Sequence, residues 1–599
     1  MRTTNKTIIE HLSNLRCAMR KAKVNAYIVP TEDPHLSEYP ARHWSARKWI
    51  SGFTGSAGTF VITDHQAGLW TDSRYFLQAQ NQLEGTGIVL YKAGLPSTPS
   101  IPQFLSDTLA KDFSLGFDGN TYSYTKAQEL EQQMKQKGIL VNSSLQLIDE
   151  IWTNRPALPL DKAFEMPSVV SGLTVQEKIT KINHLNHQVN ANATILSALD
   201  DVAWTFNLRG TDVNYNPVVI AYGFISDHEN ILFIHPKKLT TEIIEQLKKE
   251  NVTLADYESF YSYLSKLPHT IKLAIDPNRT NTAIVNALPK DCKIIPTISP
   301  ANQLKSIKNE TEIKGFRSAV LKDGIATSKF YYWLEKALEQ GEKVTELSAS
   351  KKLSSFRAEQ PGYLMDSFET ISSYGAHGAI VHYAPTPESD IPLGKDSLYL
   401  VDSGGQYLDG TTDITRTIAL CENPSAQMKE DYTCTLKGTI ALASCQFPEG
   451  TRGSQIDSFA RQALWNAGIN YRHGTGHGIG HVLNVHEGPQ SIRMEENPVI
   501  LEPGMVLSDE PAMYREGAYG IRTENMILLK ETQHTAWGKF MGFETLTLCY
   551  IDTKLINLDQ ITPQERAWLN RYHKQVYEQL ATHLNKEERT WLANKTKSI

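Results

Sequence analysis

From His473 to Glu487 the chain reads His-Gly-Thr-Gly-His-Gly-Ile-Gly-His-Val-Leu-Asn-Val-His-Glu, with glycine at every second position from 474 to 480. Each glycine costs a helix roughly 1 kcal/mol relative to alanine. The His473-x-x-x-His477 spacing, which on a helix would present two imidazoles on one face as a zinc pair, therefore cannot be read that way. The run is instead an open stretch in which both backbone and imidazoles can approach a ligand closely. One of these two histidines is expected to bind metal and the other to face substrate.

Acids flank the run in strand-like settings. Ser397-Leu-Tyr-Leu-Val-Asp402 is an apolar run ending in a carboxylate; Gly404-Gly405 follows, then the alternating stretch Thr411-Thr-Asp413-Ile-Thr-Arg-Thr-Ile418. This pattern predicts a hairpin. A turn near Gln406 and Tyr407 would set Asp402 and Asp413 roughly opposite each other on neighbouring strands. Two such carboxylates repel unless a cation sits between them. Glu510 ends the apolar strand from Gly504 and is stopped by Pro511, while Glu524 lies in Tyr519-Gly-Ile-Arg-Thr-Glu-Asn-Met-Ile-Leu528. Arg522 stands two residues before Glu524, on the same face if the segment is a strand, where it can orient the carboxylates from behind. One imidazole with four carboxylates is the donor set of a carboxylate-rich dinuclear site. Taken singly, each of these residues is more often a turn, cap or core polar group; their joint order and glycine context carry the reading.

At 599 residues the chain exceeds what one core organises. Its 60 basic and 66 acidic side chains leave a net charge of -6. Without a basic block, nucleic acid is excluded as a partner. Ile8, Leu12, Leu15 and Met19 lie at helical spacing among charges, so the N-terminal segment reads as an amphipathic helix and not a signal peptide. No apolar run approaches the ~20 residues needed to cross a bilayer. No membrane partner and a cytoplasmic location are expected. The six cysteines form no CxxC pair; they are expected as small buried residues in a reducing compartment.

Residues 1–153 alternate helix-like and strand-like segments, an α/β pattern. Asn154-Arg-Pro-Ala-Leu-Pro159 breaks it as a linker. Residues 154–305 repeat the order, with a helix expected over Thr174 to Leu199 and strands at Val218 to Tyr222 and Ile231 to Ile234, so the two stretches read as diverged copies of one unit. From residue 306 a long helical pattern leads into the glycine-punctuated, strand-rich sequence that holds every candidate site residue. The tail, from about 545 to 599, reads as a helical cap anchored by Trp568, Leu569 and Trp591. Trp465 fits either the core or a subunit contact.

These residues resemble the creatinase, prolidase and methionine aminopeptidase type of pita-bread metallopeptidase, and most of all the long three-domain Xaa-Pro aminopeptidases. The resemblance spans nearly the whole chain: Phe53-Thr-Gly-Ser-Ala-Gly58, Trp70-Thr-Asp-Ser-Arg-Tyr75, Gly378-Ala-Ile-Val-His-Tyr-Ala384, the histidine run and Asp552-Thr-Lys-Leu-Ile556. It implies two creatinase-type α/β domains followed by an α+β pita-bread catalytic domain at 306–599. It also implies two divalent metal ions per subunit, Mn²⁺ foremost. Asp402 would hold one, His477 and Glu510 the other, and Asp413 and Glu524 would bridge both. A hydroxide between them would attack the first peptide bond of peptides with proline at position two, and Glu510 would shuttle the proton. His382 and His486 resemble the substrate-side histidines that stabilise the tetrahedral intermediate, and His473 resembles the one lining the proline pocket. His377 and His481 have no such counterpart and are expected on the surface or in loops. A homodimer is implied as well.

Three alternatives share parts of this pattern. A prolidase would carry the same metal site but is disfavoured by the two preceding units. A non-catalytic pita-bread module that binds peptides or proteins is disfavoured by the five intact ligand positions, and methionine aminopeptidase by the N-terminal length.

Overall fold

The computed structural model describes residues 4–599. They divide into two compact units: one runs to Pro167 and resumes at Leu173–Leu304, and the other comprises Ser168–Gly172 and Lys305–Ile599.

The first unit contains two six-stranded sheets. In one, the strand order is Val89–Lys92, Ala67–Thr71, Thr59–Thr63, Ala26–Pro30, Ser114–Phe117, Leu140–Asn142. Only Thr59–Thr63 runs against its neighbours. In the other, the order is Thr253–Ala255, Asn230–Ile234, Ala221–Ser226, Ala193–Leu196, Lys272–Ile275, Lys293–Pro296. Again only the third strand, Ala221–Ser226, is reversed. Two sheets alike in order and in the sense of each pairing are what diverged copies of one unit look like. The N-terminal helix Asn5–Ala22 buries Ile8, Leu12, Leu15 and Met19, the stripe read from the sequence. Thr4 caps it by accepting from the Thr7 N–H, and Lys23 closes it in the left-handed region.

The two copies are joined by main chain, through a bridge between Ser123 and Asn281 and the flanking bonds Thr282 N–H to Tyr122 O and Tyr124 N–H to Thr280 O, each 2.9 Å. His35, buried, also ties them, with Nδ1 2.7 Å from Ser197 O and Nε2 2.9 Å from the Tyr257 hydroxyl. Burial lowers its pKa to about 4, so the ring stays neutral.

The helix expected over Thr174 to Leu199 is shorter. It spans Val175–Gln188 behind a Thr174/Glu177 capping box and ends before Asn190, which has a φ of 59°. Ala193–Leu196 then forms a fully buried inner strand, a short apolar run whose periodicity does not separate strand from helix. The strand expected at Val218 to Tyr222 is displaced to Ala221–Ser226.

The second unit opens with the 30-residue helix Glu310–Glu339, capped by Asn309 with Glu312. It contains a three-stranded sheet, Ile371–Tyr374, Leu398–Ser403 and Ile414–Ala419. A six-stranded sheet places Val506–Asp509 between Gly476–Gly478 and Asn525–Thr535. The hairpin of Ala512–Arg515 and Tyr519–Arg522 stands apart. Helices Pro563–Leu580 and Lys586–Lys595 close the chain, with Leu569 and Trp591 in the core and Trp568 packed at its margin. Trp465 is 46% exposed, which removes the core reading for it. All six cysteines are free thiols; Cys421 and Cys549 are buried as expected, but Cys292, Cys434 and Cys445 are only half-buried and Cys17 is exposed on the outer face of the N-terminal helix.

Candidate metal centre

Asp402 and Asp413 come from neighbouring strands but are not direct partners. Asp402 pairs with Thr415, and the tip of the hairpin falls at Leu408 and Asp409, between the paired Tyr407 and Gly410. Asp413 is thus the diagonal neighbour of Asp402, displaced by two residues from the expected register. Gly404 explains the difference. A Cβ there would stand 1.9 Å from Thr412 O, so the glycine serves close strand approach and the turn comes later than Gln406 and Tyr407.

Glu524 sits at the break between Tyr519–Arg522 and Asn525–Thr535. Its N–H donates to Thr415 O at 3.1 Å, and its carboxylate accepts from the Thr415 hydroxyl at 2.7 Å. Glu510 follows the strand Val506–Asp509 and is tied by its N–H to Thr475 O at 2.8 Å. His477 lies on the strand Gly476–Gly478, as the glycine argument requires. Its Nδ1 lies 2.9 Å from Gly478 O. A carbonyl only accepts, so Nδ1 carries the proton and Nε2 faces the acids. That nitrogen is 3.4 Å from Asp413 Oδ2 and 3.6 Å from Glu510 Oε1. Asp413, His477 and Glu524 each present a ligand atom, all within 4.8 Å of one another.

Arg522 backs this group. Its Nη2 donates to Asp402 Oδ2 at 2.6 Å, Nε to the Thr415 hydroxyl at 3.0 Å and Nη1 to the Tyr514 hydroxyl at 2.7 Å. Tyr514 in turn lies 2.9 Å from His473 Nε2, and His473 Nδ1 is 2.7 Å from Gly474 O. The donors resolve into one chain: Arg522 to Tyr514, Tyr514 to His473, His473 to the carbonyl. The sequence reading missed Tyr514 and Thr415; Tyr514 was findable as the same-face neighbour of Arg522 in a hairpin turning at Gly517.

The electrostatics are unbalanced. Burial raises the pKa of Asp402, Glu510 and Glu524, and each is raised further by the other carboxylates of the group, against the opposing charge of Arg522. Burial works against a charged His477, yet Asp413 and Glu510 outweigh it and push the imidazole up to about 9. Asp402 Oδ1 is buried with no hydrogen-bond partner among the described residues. Four acids around one guanidinium and one imidazole fit divalent cations.

The other predicted residues fall into place unevenly. His486 is half-buried, its ring 4.4 Å from that of His477 and nearly perpendicular. His382 is half-buried in the loop that follows the turn Gly375–Ala379. That turn is fastened to the strand of Arg522: a Cβ on Gly520 would stand 1.7 Å from Gly378 O. His377 is neither a surface nor a loop residue: it is half-buried within the short helical turn Gly375–Ala379 and bonded to Glu346. His481 lies in a loop, as expected, but not at the surface. It is 2% exposed, with Nε2 2.9 Å from Asp409 O and its ring against Phe316. Gly315, whose Cβ would meet Asp409 O at 2.2 Å, lets the long helix close over this histidine.

Comparison with known proteins agrees along the whole chain. Residues 314–531 match the model of metallopeptidase family M24, and 539–599 match the C-terminal region of that peptidase. Residues 11–151 and 154–312 each match a creatinase/prolidase N-terminal domain. A probable Xaa-Pro aminopeptidase P of Coprinopsis cinerea is 40% identical, covering 98% of both chains. The chain belongs to metallopeptidase family M24, in its Xaa-Pro aminopeptidase P branch. Aminopeptidase P2 of Arabidopsis thaliana is 38% identical over 100% of this chain and 89% of its own. The crystal structure of X-prolyl aminopeptidase from Caenorhabditis elegans, described as a cytosolic enzyme with a di-nuclear active site, superposes with a TM-score of 0.95 at 34% identity, covering 99% of this chain and 100% of that one. The fold is accordingly α/β creatinase-type domains followed by an M24 catalytic domain.

Proposed function

We propose that this chain is a hydrolase that removes the first residue from peptides whose second residue is proline, with two divalent cations held by Asp402, Asp413, His477, Glu510 and Glu524. The observation that carries this reading is the surplus of buried carboxylates converging on Nε2 of His477, in a chain alike over its full length to Xaa-Pro aminopeptidases. The oxygen-rich donor set favours Mn²⁺. Bound there, the cations supply Lewis acidity at the scissile carbonyl and make water a usable nucleophile at neutral pH.

The chain's own groups supply the rest. Arg522 fixes Asp402 from behind, and the Gly478 carbonyl fixes the tautomer of His477. Glu510, whose pKa is raised, both holds a cation and moves the proton to the departing nitrogen. His382 and His486 donate to the oxygen on which charge develops, and His473, held by Tyr514, lines the proline side. Among the described residues no helix is long and apolar enough to cross a membrane; a cytoplasmic homodimer completes the proposal.

The test is incubation of a peptide beginning Arg-Pro-Pro with the protein and Mn²⁺, with and without a chelator, read by mass spectrometry. Release of arginine alone, and only with metal, is expected. Internal cleavage, or release unaffected by the chelator, would overturn the reading.

A further inference from the structure

We infer that Glu346 is a positioning residue for His382, setting the loop from which that histidine reaches the reacting carbonyl; this rests on the substrate-side role proposed above for His382. Between the strand Ile371–Tyr374 and the strand Leu398–Ser403 the chain runs for 23 residues with only the five-residue turn Gly375–Ala379 as regular structure. A segment of that length is ordered only where something ties it down. One face of the turn is fixed by the backbone contact between Gly378 and Gly520. The far part of the segment is held by main chain, with Glu346 N–H donating to Ile391 O at 3.1 Å and Leu393 N–H to Val344 O at 2.9 Å; around His382 the side-chain fixation converges on a single carboxylate.

Glu346 is the first residue of the helix Glu346–Ala358 and is fully buried. The helix N-terminus favours its negative charge. Its oxygens accept from the Tyr374 N–H at 2.6 Å, from His377 Nδ1 at 2.9 and 3.0 Å, and from the Tyr383 hydroxyl at 2.7 Å. The rings of His377 and Tyr383 pack on each other with centroids 4.3 Å apart. Tyr383 also contacts Ser389, whose Oγ lies 3.0 Å from the hydroxyl. His382 immediately precedes Tyr383. Glu346 therefore grips the chain before and after His382, at the start of the loop, at its turn and at the next residue. None of these donors is among the candidate metal ligands or substrate-side histidines, so the cluster's work is assigned to geometry. A displacement of a donor by 1 Å is enough to lose most of its effect on a developing charge.

The test is a double-variant cycle with Glu346→Gln and His382→Ala, measuring kcat and KM on an Xaa-Pro-Yaa peptide with Mn²⁺, together with metal content and melting temperature. In the parent, Glu346→Gln is expected to lower kcat by about 10- to 100-fold, the range for groups that orient a functional residue, with KM and metal content retained. In the His382→Ala background the same change is expected to have almost no effect on kcat. An equal loss in both backgrounds would show a general structural role and overturn the inference, as would an unchanged kcat for either single variant. Should Glu346→Gln not fold, Tyr383→Phe removes one of the donors and is judged by the same non-additivity. A metal-loaded parent that leaves the peptide intact sinks the proposed function instead, an outcome visible before any variant is made.

Discussion

Two buried charge groups, one in each unit, are built on opposite plans, although the second unit also holds matched pairs such as Arg357 with Asp323 and Arg461 with Asp457. In the first, buried acids face buried bases: Asp212 bonds to Lys238 with both side chains almost wholly enclosed, and Asp200 and Asp201 share Arg279 at 2.7 and 3.2 Å. In the second, Asp402, Asp413, Glu510 and Glu524 surround Arg522 and His477 alone. Buried charge is tolerated only when paired or when it binds a cation. The first arrangement holds a shape; the second is completed from outside. The same residue types thus serve stability in one group and ligand capture in the other, and substitution should separate the two roles.

The largest expected effect is in the second unit. Asp413→Asn should lower hydrolysis of an Xaa-Pro peptide by at least about 10³-fold, because cation chemistry contributes several kcal/mol to the transition state. Its metal-free melting temperature should stay level or rise, since one of four crowded carboxylates is removed; a marked fall would mean the cluster is structural. Asp212→Asn should do the reverse. Leaving Lys238 buried without its partner costs about 3–5 kcal/mol, read by denaturant unfolding, while metal content stays unchanged.

Two buried histidines, one in each unit, should respond to acid alike, which sharpens the contrast by showing what does not differ. His35 in the first unit and His573 in the second are both lowered by burial to about 4, and His573 Nε2 accepts the Ile551 N–H at 3.1 Å. Unfolded, each takes up a proton near pH 6.5 while the folded ring stays neutral, so stability is lost as pH falls from 6.5 toward 4, by about 3 kcal/mol per histidine. Chemical unfolding at stepped pH measures this, and His35→Gln and His573→Gln should each flatten the slope. The smallest effect is expected for Arg522→Lys, which keeps the charge but loses the fork shared by Asp402, Thr415 and Tyr514. A 10- to 100-fold loss of activity is expected, and an unaltered rate would reduce Arg522 to a simple counter-charge.

Much of this was legible in the sequence where a residue type permits only one geometry. Alternating glycines exclude a helix at 473–481, and His477 duly lies on a strand. The stripe Ile8, Leu12, Leu15 and Met19 fits only an amphipathic helix. Legibility failed where one residue type serves two ends. Glycines at 404 and 405 suit a nearby turn or close strand contact, and Gly404 serves the contact, so the turn lies beyond Gln406 and Tyr407 and the pairing of Asp402 and Asp413 is shifted. The apolar run at 193–196 suits a helix or an inner strand. His481, in the glycine-rich run, gave no hint of burial, because the cover comes from Phe316, 165 positions earlier in the chain. Tyr514 joins the bond chain through the hairpin turning at Gly517, which sets it on one face with Arg522, a pairing the sequence carried but the sequence reading missed.

The way the chain enters the second unit governs how that unit could be dissected. Lys305 and Lys308, at its threshold, both bond to the buried carboxylate of Glu487, next to His486. The five-residue strap Ser168–Gly172 belongs to the same unit, and Asn309 donates to Ser171 O at 2.9 Å. A fragment cloned from residue 309 onward would strand Glu487 as an orphan charge beside a substrate-side histidine. One starting at Lys305 would still lack the strap, so an excised catalytic module must be rebuilt from two non-adjacent pieces of chain.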